Sequence, residues 1–224
     1  MCPQPWLIGV KRRTLDDVEF QRPSELLEMT ESKTWPYKTN QEFYHCRDRA
    51  LLSLLYLTCG RVSEVLGLIK KQFVFDEDPD FIIVKNMVVV KRKKKAKRKR
   101  RRIRDEVPLP KAGPLGPFTH FVTEYLIRLS DPEGKLFRFG RHRAWQIVRF
   151  ITGKWCHYFR SQGESWYGKI FSNIFALKDF VGVVDASTLS DYVKTDWKDY
   201  RDRILGKTKQ NSVCVRARLS GQTR

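Results

Sequence analysis

The clearest periodicity in the chain runs through NQEFYHCRDRALLSLLYLTCG, residues 40–60, where Phe43, Ala50, Leu51, Leu54 and Leu55 recur at helical spacing. Asn40 or Thr39 is placed to cap this helix, and Gly60 to stop it. A shorter helix is expected in RVSEVLGL, followed by the polar turn DEDPD. The pattern then changes. FIIVKNMVVV has the β-branched content of one strand or two short ones, and IRDEVPLP reads as another strand ended by proline. Residues 113–130 begin with Pro and Gly and continue as an amphipathic helix. Residues 136–155 predict a short strand and then a helix, and from His157 the chain reads as helical with interruptions. A further short helix fits residues 23–29. These elements predict a mainly helical α+β domain with one small antiparallel sheet built on a β-hairpin.

Charge changes what that hairpin is for. Of the fourteen residues 91–104 between its strands, twelve are Lys or Arg, and the 224-residue chain carries a formal charge of +19. The remainder of the chain is therefore basic as well. A balance of this size points to a polyanionic partner, most often nucleic acid. A histone-like or ribosomal protein would share the charge, but 41% hydrophobic residues and six Trp describe a chain able to bury a core. Five scattered Cys offer no metal-ligand spacing, and their odd number without a secretory signal argues against a disulfide framework. The longest apolar segment, residues 50–59, is too short to span a bilayer. A soluble, intracellular protein without metal or cofactor is expected.

Four features carry candidate chemistry, each weak alone. Arg61 follows a helix-ending glycine, where a guanidinium projects from the start of the next helix. A lysine stands near the start of the basic run. His157 and Arg160, in HYFR, share one helical face. Tyr192 lies in STLSDYVKTDWKDY, with Tyr200 eight residues on. Singly, these read as surface arginines, a surface pair and a core tyrosine.

In this order and spacing they resemble the tyrosine recombinase (phage integrase) family over roughly residues 38–200. TCGRVSEVLGL resembles the family's first arginine motif, and FIIVKNMVVV…VPLP its lysine-bearing hairpin. HYFR matches the His-x-x-Arg box. FVGVVDASTLSDYV, with Gly182, Thr188 and Tyr192, resembles the segment leading to the nucleophile. The resemblance implies the catalytic fold of DNA breaking-rejoining enzymes, with residues 1–36 as an N-terminal arm or remnant, 37–206 as catalytic domain and 207–224 as a basic tail. It implies double-stranded DNA as partner, a homotetramer on paired sites, and a virus or other mobile element, of archaeal or viral type, as origin.

Roles follow from the same resemblance. Tyr192 would attack a phosphodiester, Arg61 and Arg160 would clamp its non-bridging oxygens, and His157 would assist proton movement. Lys91 is the first choice for protonating the leaving oxygen, with Lys93 and Lys85 as alternatives. Lys93, Lys94, Lys95, Lys97, Arg98, Lys99, Arg100, Arg101 and Arg102 would grip DNA phosphates, positioning the duplex without reading its sequence. Two departures stand out. The family places His or Trp after the glycine of its penultimate box, where this chain has Val183, which donates no hydrogen bond. Only about 35 residues precede the first catalytic helix, where the family carries a core-binding domain. A type IB topoisomerase-like enzyme and a non-catalytic DNA-binding protein of the same fold are the competing expectations.

Overall fold

The 40–60 pattern becomes the central element of the fold. The structure, a computed structural model, describes residues 21–89, 102–171 and 174–182. Helix α2, Gln41–Leu57, is amphipathic in its first half only; every residue from 50 to 60 is buried. Leu51, Leu52, Leu54, Leu55 and Leu57 have no exposed surface, and each full burial stabilises the fold by roughly 1.5–3 kcal/mol. Such an all-round apolar segment needs cover on every side. Helix α4 (Gly116–Ile127) and helix α6 (Cys156–Ile170) supply most of it. Helix α5 (Arg141–Thr152) and the N-terminal helix α1 (Pro23–Glu31) close the remainder. Leu26 of α1 is fully buried, so this part of the expected arm belongs to the core.

Asn40 occupies the start of α2 but caps nothing through its side chain; it sits in the left-handed region at φ 50°. The helix in RVSEVLGL shortens to α3, Val62–Val65. The strand expected near residue 136 is only an isolated bridge between Lys135 and Ile69.

The sheet has three antiparallel strands in the order β1 (Phe73–Val74), β2 (Phe81–Val89), β3 (Arg102–Pro110). Two residues are too few for sequence periodicity to reveal β1. Pairing runs in one register from Phe81↔Pro110 to Val89↔Arg102, yet the buried face changes midway. Ile82, Val84, Val107 and Leu109 are buried on one side of Lys85–Asn86, and Met87, Val89 and Arg104 on the other. Regular alternation would have sent Asp105 inward instead of Arg104. Asn86, at φ 55°, takes up the switch. Gln72 Nε2 holds it by donating to the carbonyls of Lys85 (2.8 Å) and Asn86 (3.0 Å).

Helices α2 and α6 cross at Gly163. A Cβ there would lie 2.3 Å from the Tyr56 carbonyl oxygen and 2.8 Å from Cys59 Sγ. This close approach sets the height of α6 against the end of α2. Gly163→Ala should therefore cost about 2–3 kcal/mol of stability through overpacking, read from urea unfolding; a variant as stable as the parent would show that the crossing is not tight.

Candidate active site

The turn between α2 and α3 is built to present Arg61. Thr58 Oγ1 donates to the Leu54 carbonyl (2.6 Å) and accepts from the Gly60 amide (3.1 Å), while Cys59 takes a left-handed φ of 48°. Arg61 then forms the N-cap of α3. Glu64, three residues on, accepts from the Arg61 amide at 2.8 Å and from its Nη1 at 2.9 Å. One carboxylate thus fixes both backbone and guanidinium. Its side chain is 1% exposed, against 38% for Arg61, so the arginine faces outward from a buried anchor.

Helix α6 supplies the second half. His157, Arg160 and Glu164 follow i, i+3, i+7 spacing and share one face. Arg160 is buried. Its Nη2 pairs with Glu164 Oε1 at 2.7 Å, and its Nη1 approaches Glu64 Oε2 at 3.9 Å. Glu64 therefore links the two guanidiniums, and the site residues expected at 61, 157 and 160 come together in one charged cluster.

Electrostatics tie the cluster further. Burial raises the pKa of Glu164, while the charges of Arg160, Arg61 and Arg104 work against that rise. His157 reaches the surface, but the protein packed around it and the Arg160 and Arg61 guanidiniums push its pKa down, to about 4. Its imidazole is neutral at pH 7 in the free protein. Desolvation of the charged form and repulsion by like charge act in the same direction here.

Arg104 is the residue that sequence reasoning missed. Counted with the basic run, it is instead 5% exposed, and burial lowers its pKa to about 10. Nη1 donates to the Thr58 carbonyl at 2.7 Å, and the guanidinium lies 5.3 Å from the ring centre of Phe180 on α7 (Ile174–Val181). Gly182, at φ 73°, makes room for it: a Cβ there would sit 2.8 Å from Arg104 Cδ. Arg104 thus joins the hairpin, the turn before Arg61 and the end of α7. The only sequence clue to it was an arginine outside the continuous run, after Ile103. Glu164 had a clearer clue, its i, i+4 spacing from Arg160.

Lys85 stands apart from this network in its contacts. It pairs across the sheet with Glu106 (2.5 Å) and with Glu77 of the preceding turn (2.8 Å), and these hydrogen bonds raise its pKa. A lysine held in its charged form in this way is a poorer proton donor. Arg102 opens β3. Tyr192, Tyr200, Thr188, Val183, Lys91, Lys93, Lys94, Lys95, Lys97, Arg98, Lys99, Arg100 and Arg101 lie outside the described residues. Among the described residues, no group of three or more His, Cys, Asp or Glu side chains is arranged to hold a metal ion, and no helix is long and apolar enough to cross a membrane.

No protein-family model matches the chain, and no curated protein matches it in sequence. Solved structures do. The XerH site-specific recombinase bound to difH substrate, in a pre-cleavage complex, is similar with a TM-score of 0.55 and 14% identity. The similarity covers 79% of this chain and 49% of that one. XerA recombinase is similar with a TM-score of 0.52 and 16% identity, over 83% of this chain and 61% of that one. The chain therefore spans about half the length of XerH.

The depressed His157 pKa sets a sign that can be checked. The fold favours the neutral imidazole, so this contribution to stability is complete above the ordinary histidine value near ~6.5 and is lost as pH falls towards about 4. In an NMR titration the His157 ring should ionise well below that ordinary value, and should move upward in Arg160→Gln. A midpoint at the ordinary value in the parent protein would contradict the crowded, cationic surroundings described above.

Proposed function

We propose that this chain, which has the fold of tyrosine recombinase catalytic domains, cleaves and rejoins DNA strands through a covalent 3′-phosphotyrosyl intermediate. The observation that carries this reading is the meeting of Arg61 and Arg160 on Glu64 at the junction of α2, α3 and α6, with His157 close enough to be repelled by both guanidiniums. Two guanidiniums joined by one carboxylate suit the two non-bridging oxygens of a phosphodiester, which arginine recognises in forked geometry.

In the proposed reaction the Tyr192 hydroxyl attacks phosphorus. The Oη–P bond forms as the P–O5′ bond breaks, and the phenolic proton passes to the neutral His157 imidazole as the nucleophile engages. Arg61 and Arg160 hold the equatorial oxygens, where negative charge builds in the pentacoordinate state. The departing 5′-oxygen takes a proton from a lysine of the hairpin, with Lys91 preferred to Lys93. Lys85 is the weakest of the three, because two carboxylates hold its proton. His157 is neutral before DNA enters and accepts a hydrogen bond or a proton as charge accumulates beside it. Rejoining reverses these steps with a second 5′-hydroxyl, and the phosphoester energy is retained without ATP.

The formal charges of the cluster suit this cycle. Arg61, Arg104 and Arg160 stand against Glu64 and Glu164, which leaves one net positive charge for a monoanionic phosphodiester. We assign double-stranded DNA as the partner and a tetramer on paired sites as the working assembly. The basic hairpin residues, Lys93 to Arg102 among them, supply the salt-dependent grip on the duplex.

Incubation with a nicked DNA substrate should trap an adduct that survives SDS. Tyr192→Phe should abolish it, while Arg61→Lys and Arg160→Lys should each slow it by about 10²-fold or more. An adduct that persists in Tyr192→Phe moves the role to another residue. Relaxation of supercoils without exchange between two sites would mark a topoisomerase-like enzyme, and binding without any adduct on cognate DNA would mark a non-catalytic protein.

A further inference from the structure

Glu164 is the least expected member of the cluster. On α6 it faces Arg160 at i+4, with Nη2 to Oε1 at 2.7 Å and side-chain exposures of 3% and 1%. Removing two charges from water is costly, and apolar pairs of similar volume often stabilise a fold as well or better. The pair is also incompletely satisfied. Glu164 Oε2 and Arg160 Nη1 are buried, and neither has a hydrogen-bond partner among the described residues. Stability alone gives poor reason for such an arrangement in the middle of a helix contact.

We propose that Glu164 is an internal counter-anion, which keeps Arg160 neutralised so that an entering phosphate is held weakly until charge builds on it. The inference rests on the reading of Arg61 and Arg160 as a phosphodiester clamp. Without Glu164, two net positive charges would confront one monoanionic phosphate, and the ground state would be bound in excess. Binding of that kind deepens the substrate and product complexes alike and slows release of the strand from the clamp. With Glu164 present, the resting cluster carries one surplus charge, and Arg160 Nη1, paired with Glu64 Oε2 only at 3.9 Å, makes no hydrogen bond among the described residues. The second negative charge of the pentacoordinate state is then met by the hairpin lysine and by the neutral His157, whose proton affinity rises beside an anion.

Glu164→Gln keeps the shape of the side chain and an oxygen able to accept from Arg160 Nη2, but removes the charge. Inorganic phosphate and orthovanadate titrated into the whole protein, with the His157 ring resonances as reporter, measure the effect. Glu164→Gln should bind both anions roughly tenfold more tightly, the scale of one charge interaction in a partly buried site. Glu164→Asp, which retains the charge, should stay within about twofold of the parent. Glu164→Met, uncharged and similar in length, gives the same answer as the glutamine variant if that one fails to fold. Unchanged or weaker anion binding in a folded, uncharged variant overturns the proposal. A parent protein in which neither anion perturbs His157 would instead overturn the phosphate-clamp reading beneath it.

Discussion

Two buried carboxylates decide where the arginines of this molecule stand. Glu64 and Glu164 are each about 1% exposed, and a buried carboxylate demands compensation by charge and hydrogen bonds. Glu64 takes the Arg61 amide and guanidinium and draws Arg160 to within 3.9 Å. Glu164 takes the other end of Arg160. The turn before α3, the first turns of α6 and the packing of α6 on α2 are all constrained by this arrangement. Gly163 permits it, since any side chain there would push α6 away from Tyr56 and carry Arg160 out of reach of Glu64.

The hairpin is coupled to the same network by a change of face within its strands. Because Asn86 adopts a left-handed conformation, Met87 and Arg104 turn inward beyond it. Arg104 then bonds the Thr58 carbonyl, three residues before Arg61, and packs against Phe180 and Gly182 at the end of α7. A buried arginine whose Nε and Nη2 make no hydrogen bond among the described residues costs more than an ordinary core residue. What it provides is a common tether for three segments, each adjacent to a residue of the proposed chemistry. The hairpin carries the candidate lysines, the turn precedes Arg61, and α7 precedes the segment containing Tyr192.

Much of this was legible in the residues. The long helix, the mainly helical α+β class and the antiparallel hairpin follow from periods that persist over nine residues or more. Arg61, His157 and Arg160 can be singled out in the sequence because their order and spacing are informative even though each motif is short. What escaped notice depended on conformation at single positions. The two-residue β1 leaves no periodic trace, and the apolar LFRF segment pairs through one bridge instead of a strand. Arg104 was concealed because its burial depends on Asn86 and on Gln72 bridging two carbonyls, neither of which alternation can anticipate. Asn40 shows the converse. It is a favoured capping residue at the expected position, yet its backbone takes the left-handed region, which asparagine tolerates better than most.

In the proposed reaction Arg61 and Arg160, joined by Glu64, form the seat of a DNA phosphate. A crystal structure of the protein with a nicked DNA duplex and orthovanadate at the nick tests it most directly. Vanadate oxygens should lie within hydrogen-bond distance of both guanidiniums, with His157 beside them and Arg160 still anchored to Glu164. Vanadate and DNA bound on another face, with both guanidiniums still turned only to their carboxylates, would contradict it.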